Sequence, residues 1–142
     1  MALNILVVDD SKVMRTMLLK TLQMSGVQID NKYEASNGKE GLEILSHNWI
    51  DLVIVDINMP VMNGEEMVDH MKAHEETRDI PIIVISTEGS ETRIARLLEK
   101  GADFIRKPFS PEIIRDKIRN VINIDANIIE GEDDDDDEFR GI

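Results

Sequence analysis

A length of 142 residues allows one domain with a substantial core, and a make-up of 42% apolar and 32% charged residues is that of a soluble globular protein. The absence of cysteine excludes disulfides and thiolate metal sites, and no apolar run nears the ~20 residues of a membrane span, so a cytoplasmic chain with no membrane span is expected. The net charge of −13 comes without the clustered Lys and Arg that grip a phosphate backbone, which argues against nucleic acid as a partner.

The opening MALNILVVDD has no charged leader or cleavage site and reads as a first strand. Leu3–Val8 is a short, continuous, mostly branched apolar run, as expected of a strand buried on both faces. Ser11 is placed to cap a helix carrying Val13, Met14, Met17, Leu18 and Leu22, and Gly26 to end it. A weaker strand is expected around Lys32–Ala35. Asn37 caps a second helix with Leu42 and Leu45 inward, and Trp49 is expected to pack at the corner that follows. Leu52–Val55 is a second strong strand.

Beyond Met59-Pro60 and the Asn63-Gly64 turn, Met67, Val68 and Met71 mark the inner face of a third helix. With Met14 and Met17, the two methionines of that helix read as core filler. His70 and His74 share a helical spacing that can hold zinc, but no third ligand accompanies them. Pro81 opens a strand over Ile82–Ile85 that ends at Ser86. A fourth helix over Glu91–Lys100 stops at Gly101, and Asp103–Ile105 is a short fifth strand. The last helix starts near Pro111, with Ile113, Ile114, Ile118, Val121 and Ile122 on one face.

Strict strand–helix alternation implies an α/β fold: a five-stranded parallel sheet with right-handed crossovers and helices on both faces. Its expected strand order is 2-1-3-4-5, the flavodoxin-like arrangement. The domain is expected over 1–124, with 125–142 as an acidic C-terminal tail. That tail holds nine acidic residues and one Arg, leaving a net of −5 on the first 124 residues. A run of like charge reads as solvated chain or as a dock for a basic surface.

In an open parallel sheet, ligands gather beyond the carboxyl ends of the strands. Asp9 and Asp10 end strand 1, Asp56 ends strand 3, Ser86 ends strand 4, and strand 5 leads into Lys107. Each alone is an ordinary cap, turn or surface residue; together they are three carboxylates, a hydroxyl and an ammonium on one edge. Clustered carboxylates repel, and a hard divalent cation resolves the repulsion. Mg2+ suits such a site, since it uses one or two carboxylates plus a substrate phosphate. A carboxylate is also a nucleophile toward phosphorus, with Lys and hydroxyl groups holding the other phosphoryl oxygens.

The acidic pair Asp9-Asp10, Asp56 after LVIV, the Met59-Pro60…Gly64 loop, Ser86 after IIVI, and Lys107-Pro108-Phe109 together resemble the receiver domains of two-component response regulators. The likeness spans about residues 3–122, and the stand-alone chemotaxis regulators are its nearest type. It implies that Asp56 is the phosphoacceptor and that a histidine kinase is the phosphodonor. Asp10 and Asp56 would ligate Mg2+ directly, Asn58 through its backbone carbonyl, and Asp9 through water. Lys107 would pair with the phosphoryl group, and Ser86 and Phe104 would be the switch residues. Asn58, Thr87 and Glu88 would tune dephosphorylation. The Lys107-Pro108 bond would be cis. Output would pass to a protein target through the helix 4–strand 5–helix 5 face, from a monomer or weak dimer.

Two features depart from the commonest pattern: Thr87 stands where a smaller residue is frequent, and Phe104 lacks the hydroxyl of a Tyr. Within this reading a chemotaxis or motility role leads, and a phosphorelay intermediate passing phosphate to a histidine phosphotransferase is the alternative. An aspartate-nucleophile phosphatase fits less well, because Asn58 replaces the second carboxylate of that enzyme motif. A receiver-like binder that works without phosphorylation is disfavoured, since no site residue is missing.

Overall fold

Ten elements alternate in the structure, a computed structural model that describes residues 2–87 and 89–130, the last eight of these as backbone only. In chain order they are β1 (Leu3–Val8), α1 (Lys12–Met24), β2 (Ile29–Ala35), α2 (Gly38–His47), β3 (Leu52–Val55), α3 (Gly64–Ala73), β4 (Ile82–Ser86), α4 (Glu91–Glu99), β5 (Asp103–Arg106) and α5 (Pro111–Glu130). All strand pairs are parallel, in the order β2-β1-β3-β4-β5. Among the described residues no helix is long and apolar enough to cross a membrane.

The sheet is buried on both sides because its central strands are apolar at every position but Asn4 and Ser86, and the period of two sends alternate residues to opposite faces. Leu6, Val8, Val53, Val55, Ile82 and Val84 join one core cluster, with Met67, Val68 and Met71 of α3 and Leu97 of α4. Leu3, Ile5, Val7, Leu52, Ile54, Ile83 and Ile85 join the other, with Leu22 of α1 and Ile114 and Ile118 of α5. Two apolar layers thus clamp the sheet, α2, α3 and α4 on one side, α1 and α5 on the other.

Helix starts follow the capping chemistry read from the sequence. Met14 N–H donates to Ser11 Oγ at 3.2 Å and Glu40 N–H donates to Asn37 Oδ1 at 2.9 Å. Asn63 closes a reciprocal box at the start of α3: Glu66 N–H donates to Asn63 Oδ1 at 2.8 Å, and Asn63 N–H donates to Glu66 Oε1 at 3.0 Å. Gly26 and Gly101 follow α1 and α4 with φ of 88° and 93°, the left-handed conformation that favours glycine.

Several expectations need correction. α1 buries only Leu22; Val13 and Met17 are 68% and 55% exposed, so they are not core residues. Met14 is half-buried, whereas Met67 and Met71 are fully enclosed. Trp49 is 79% exposed, not packed at a corner, because its neighbour Ile50 takes the buried position. β2 begins at Ile29, three residues earlier than expected. It is an edge strand, and its exposed Asp30, Asn31 and Lys32 hide the strand pattern. α5 continues as backbone to Glu130, past Ile122, the last residue expected on its inner face. The acidic run beyond it lies outside the described residues.

Candidate functional site

The sheet register explains why distant residues converge. β1 and β3 pair Val8 with Val55, so Asp9 and Asp56 leave the same sheet edge on adjacent strands. Asp9 N–H donates to Ala35 O at 3.0 Å and Asp56 N–H donates to Val8 O at 2.9 Å, which extends the ladder into the site. β3 and β4 pair Val55 with Val84, placing Ser86 just beyond the level of Asp56. β4 and β5 pair Ser86 with Arg106, and Lys107 N–H then donates to Ser86 O at 2.9 Å.

Carboxylate oxygens of Asp9, Asp10 and Asp56 lie within 4.8 Å of one another. Asp9 is buried, Asp56 half-buried and Asp10 exposed, so the cluster opens outward at Asp10. Lys107 Nζ stands 3.8 Å from Asp9 Oδ2 and 3.9 Å from Asp56 Oδ1. Asp9 Oδ1 also accepts from Ser11 N–H at 2.9 Å, so the start of α1 orients that carboxylate.

Burial pushes the Asp56 carboxyl above its ordinary range; Lys107 pulls it back, and Asp9 and Asp10 push it up again. Asp9 is also raised, first by burial, with the Ser11 N–H and Lys107 opposing and Asp10 adding. One ammonium thus stands beside two carboxylates of a cluster of three, and the negative surplus suits a cation at the open side. Three oxygen donors without nitrogen or sulfur are the set a hard divalent ion takes, so Asp9, Asp10 and Asp56 fit Mg2+.

Two backbone details hold Asp56 in place. Gly64 N–H donates to Ile57 O at 2.8 Å, and a Cβ at Gly64 would lie 2.9 Å from Ile57 Cα and 3.0 Å from the Asp56 carbonyl carbon. Glycine is required there by close approach, which the Asn63-Gly64 turn reading did not anticipate. Val61 in the same loop has φ of 67°, with Met62 N–H donating to Pro60 O at 2.7 Å, a tight and strained turn for a β-branched residue.

The remaining expected residues are distributed unequally. Ser86 is buried at the end of β4, and Thr87 is exposed and lines a cavity with Asp9, Asp56 and Lys107. Asn58 is exposed two residues past Asp56. Phe104 is half-buried against the α3–α4 side of the core, with the Arg106 guanidinium 6.0 Å from its ring centroid. The Lys107-Pro108 bond is cis. Glu88 lies outside the described residues.

The cavity, about 400 Å³, runs from the carboxylates between α1 and the β5–α5 loop. Met14, Met17 and Leu18 form one wall, Pro108 and Phe109 another. Met17, expected in the core, is a wall of this opening instead. Arg15 was also missed. Its Nη1 donates to Asp9 O at 2.6 Å and its Nε to Glu34 Oε1 at 2.8 Å, tying the acidic turn to β2. Nothing in the local pattern of α1 signals that contact, because Glu34 lies 19 residues away.

A doubly wound five-stranded sheet with an acidic triad, a lysine and a buried serine at its carboxyl edge defines a receiver fold. The model of the response regulator receiver domain matches residues 5–119, and the chain belongs to that family. A chemotaxis protein CheY homolog of Campylobacter jejuni is 37% identical over 122 residues, covering 84% of this chain and 92% of that protein. Chemotaxis protein CheY1 of Helicobacter pylori strain J99 is likewise 37% identical, covering 84% of this chain and 97% of its own. The high-resolution structure of chemotaxis response regulator CheY4 of Vibrio cholerae superposes with a TM-score of 0.73 at 32% identity, over 85% of this chain and 99% of that one. The chain is therefore a CheY-like response regulator receiver domain.

Proposed function

We propose that the chain is a phosphorylation-dependent response regulator. It takes a phosphoryl group onto Asp56 from a histidine kinase and signals in the cytoplasm by protein–protein contact, in chemotaxis or motility. The observation that supports this most is the placement of Asp56. Its carboxylate is half-buried, flanked by Asp9 and Asp10, and faced by Lys107 at 3.9 Å. The similarity to chemotaxis proteins over most of the chain supports the motility reading.

In this reading an Asp56 carboxylate oxygen attacks the phosphorus of a phosphohistidine. A P–O bond forms, the P–N bond breaks, and the imidazole leaves with the electron pair. Mg2+ bound by Asp10, Asp56 and the Asn58 carbonyl, with Asp9 acting through water, would neutralise charge on the phosphoryl oxygens. Lys107 pairs with one of those oxygens and the Ser86 hydroxyl moves toward another. The cavity beside Asp56 gives the phosphodonor an apolar surface to rest against.

Phosphorylation then shifts the population of Ser86 and Phe104 arrangements, and the α4–β5–α5 face presents the change to a target. Asn58, Thr87 and Glu88 set water access and so the lifetime of the aspartyl phosphate. The runner-up role is a phosphorelay intermediate that hands its phosphate to a histidine phosphotransferase. The deciding experiment is label transfer from a small phosphodonor with and without Mg2+, followed by a pull-down of the beryllofluoride-treated protein. Magnesium-dependent label on wild type and none on Asp56→Asn is expected. Label that persists in Asp56→Asn would end the proposal, and a phosphotransferase that drains label from Asp56 would move the role to the relay.

A further inference from the structure

α4 is weakly held by apolar packing. Leu97 is the single buried residue of its nine, while Leu98 is 49% exposed. Polar contact adds to that packing, and one residue of α3 makes several of the described contacts. Glu65 Oε2 accepts from Arg96 Nε at 2.7 Å and from Lys100 Nζ at 2.9 Å, and Glu65 Oε1 accepts from Arg96 Nη2 at 2.9 Å. Arg93 Nε adds a third cation at 3.8 Å, and Asp69, one turn along α3, shares Lys100 at 2.8 Å. The Glu65 side chain is only 13% exposed. Its fork with Arg96 is bidentate, the geometry in which an ion pair contributes measurably.

The position of Glu65 gives this clasp its meaning. It directly follows Gly64, whose backbone rests on the Asp56–Ile57 peptide and donates to Ile57 O at 2.8 Å. No side chain intervenes between that peptide and the first turn of α3. A displacement of the loop after Asp56 therefore moves the base of Glu65, and the three cations carry that movement to α4. The other described route to the same face runs through β4, β5 and Phe104, on separate elements.

We propose that Glu65 is a coupling strut: it ties occupancy of the Asp56 site to the position of α4, through its clasp on Arg93, Arg96 and Lys100. This rests on the receiver reading of Asp56 and specifies how that site is linked to the signalling face. By reciprocity, whatever α4 binds feeds back through the same strut onto the affinity of the Asp56 site.

The test is hydrogen exchange of the full chain, read over residues 91–100, with and without beryllofluoride plus Mg2+, in wild type, Glu65→Gln and Lys100→Gln. Glu66→Gln serves as control, since Glu66 caps α3 and is exposed, with no hydrogen bond or ion pair to α4 among the described contacts. Without any ligand, Glu65→Gln is expected to speed α4 exchange about fivefold or more, with β1 and β3 unchanged. With beryllofluoride, the wild-type change in α4 should shrink severalfold in Glu65→Gln and Lys100→Gln but persist in Glu66→Gln. Lys100→Gln, remote from Asp56, should also shift beryllofluoride affinity about fivefold. If α4 exchange and its response are the same in Glu65→Gln as in wild type, the strut is refuted while the receiver reading stands. If wild type takes no label at Asp56 from a phosphodonor, both fall together.

Discussion

At the scale of single residues, the site is built around a conflict between burial and charge. Asp9 and Asp56 are raised because folding removes water from carboxylates that Lys107 only partly compensates. Their folded forms hold protons that the unfolded chain has released, so without metal they cost stability above their folded values, and that cost fades as pH falls through them. Metal-free Asp56→Asn is therefore expected to be more stable than wild type at neutral pH by about 1 kcal/mol, read by urea unfolding. An unchanged or lowered midpoint would contradict this account of the site. Bound Mg2+ would compete with the same protons, so its thermal stabilisation should grow as pH rises from the ordinary carboxylate range through the raised values of Asp9 and Asp56. Glu65 has the opposite sign: hydrogen bonds from Arg96 and then Lys100 lower it to about 2, so its contribution is present above the ordinary carboxylate range and lost only as pH falls toward that value. Arg15 is expected to position the acidic turn. Arg15→Ala should weaken Mg2+ binding about tenfold, and recovery by Arg15→Lys would show that charge alone, not the fork onto Asp9 O and Glu34, is what matters.

At the scale of elements, loops carry the site and helices fix the loops. The β3–α3 loop is the most constrained segment, with Val61 in a left-handed conformation and Gly64 pressed on the Asp56–Ile57 peptide. Gly64→Ala would force that backbone apart and is expected to cost about 1–3 kcal/mol and most of the phosphate acceptance. Loss of stability with normal acceptance would show that Asp56 tolerates the shift. Asn63→Ala removes only the cap of α3 and should cost about 1 kcal/mol while sparing the site. Helix propensity alone does not distinguish α4 from the other helices. Nor does shallow burial, since α1 and α4 each enclose one residue; what sets α4 apart is that one α3 carboxylate holds three of its cations.

At the scale of the whole molecule, both core clusters use alternate residues of the same central strands, so neither layer can loosen without exposing the other side of the sheet. Met71→Ala and Ile114→Ala, on opposite faces, are each expected to cost about 2–5 kcal/mol in one cooperative transition. Separate transitions for the two variants would break that picture. The apolar strands and their terminal aspartates were legible in the sequence because a doubly covered parallel strand is a continuous apolar run, whatever its neighbours. The five expected site residues were legible because strand ends in such a sheet must meet at one edge. The start of edge strand β2, exposed Trp49 and the outward Val13 and Met17 were not, because their environment depends on which neighbouring element covers them. Nor were the Arg15–Glu34 and Glu65–Arg96 pairs, whose partners lie 19 and 31 residues apart. Local patterning by itself determined the fold and the acidic site; long-range contact alone decided which charges hold that site and which helix it is tied to, since ion pairs form through space and leave no period in the chain.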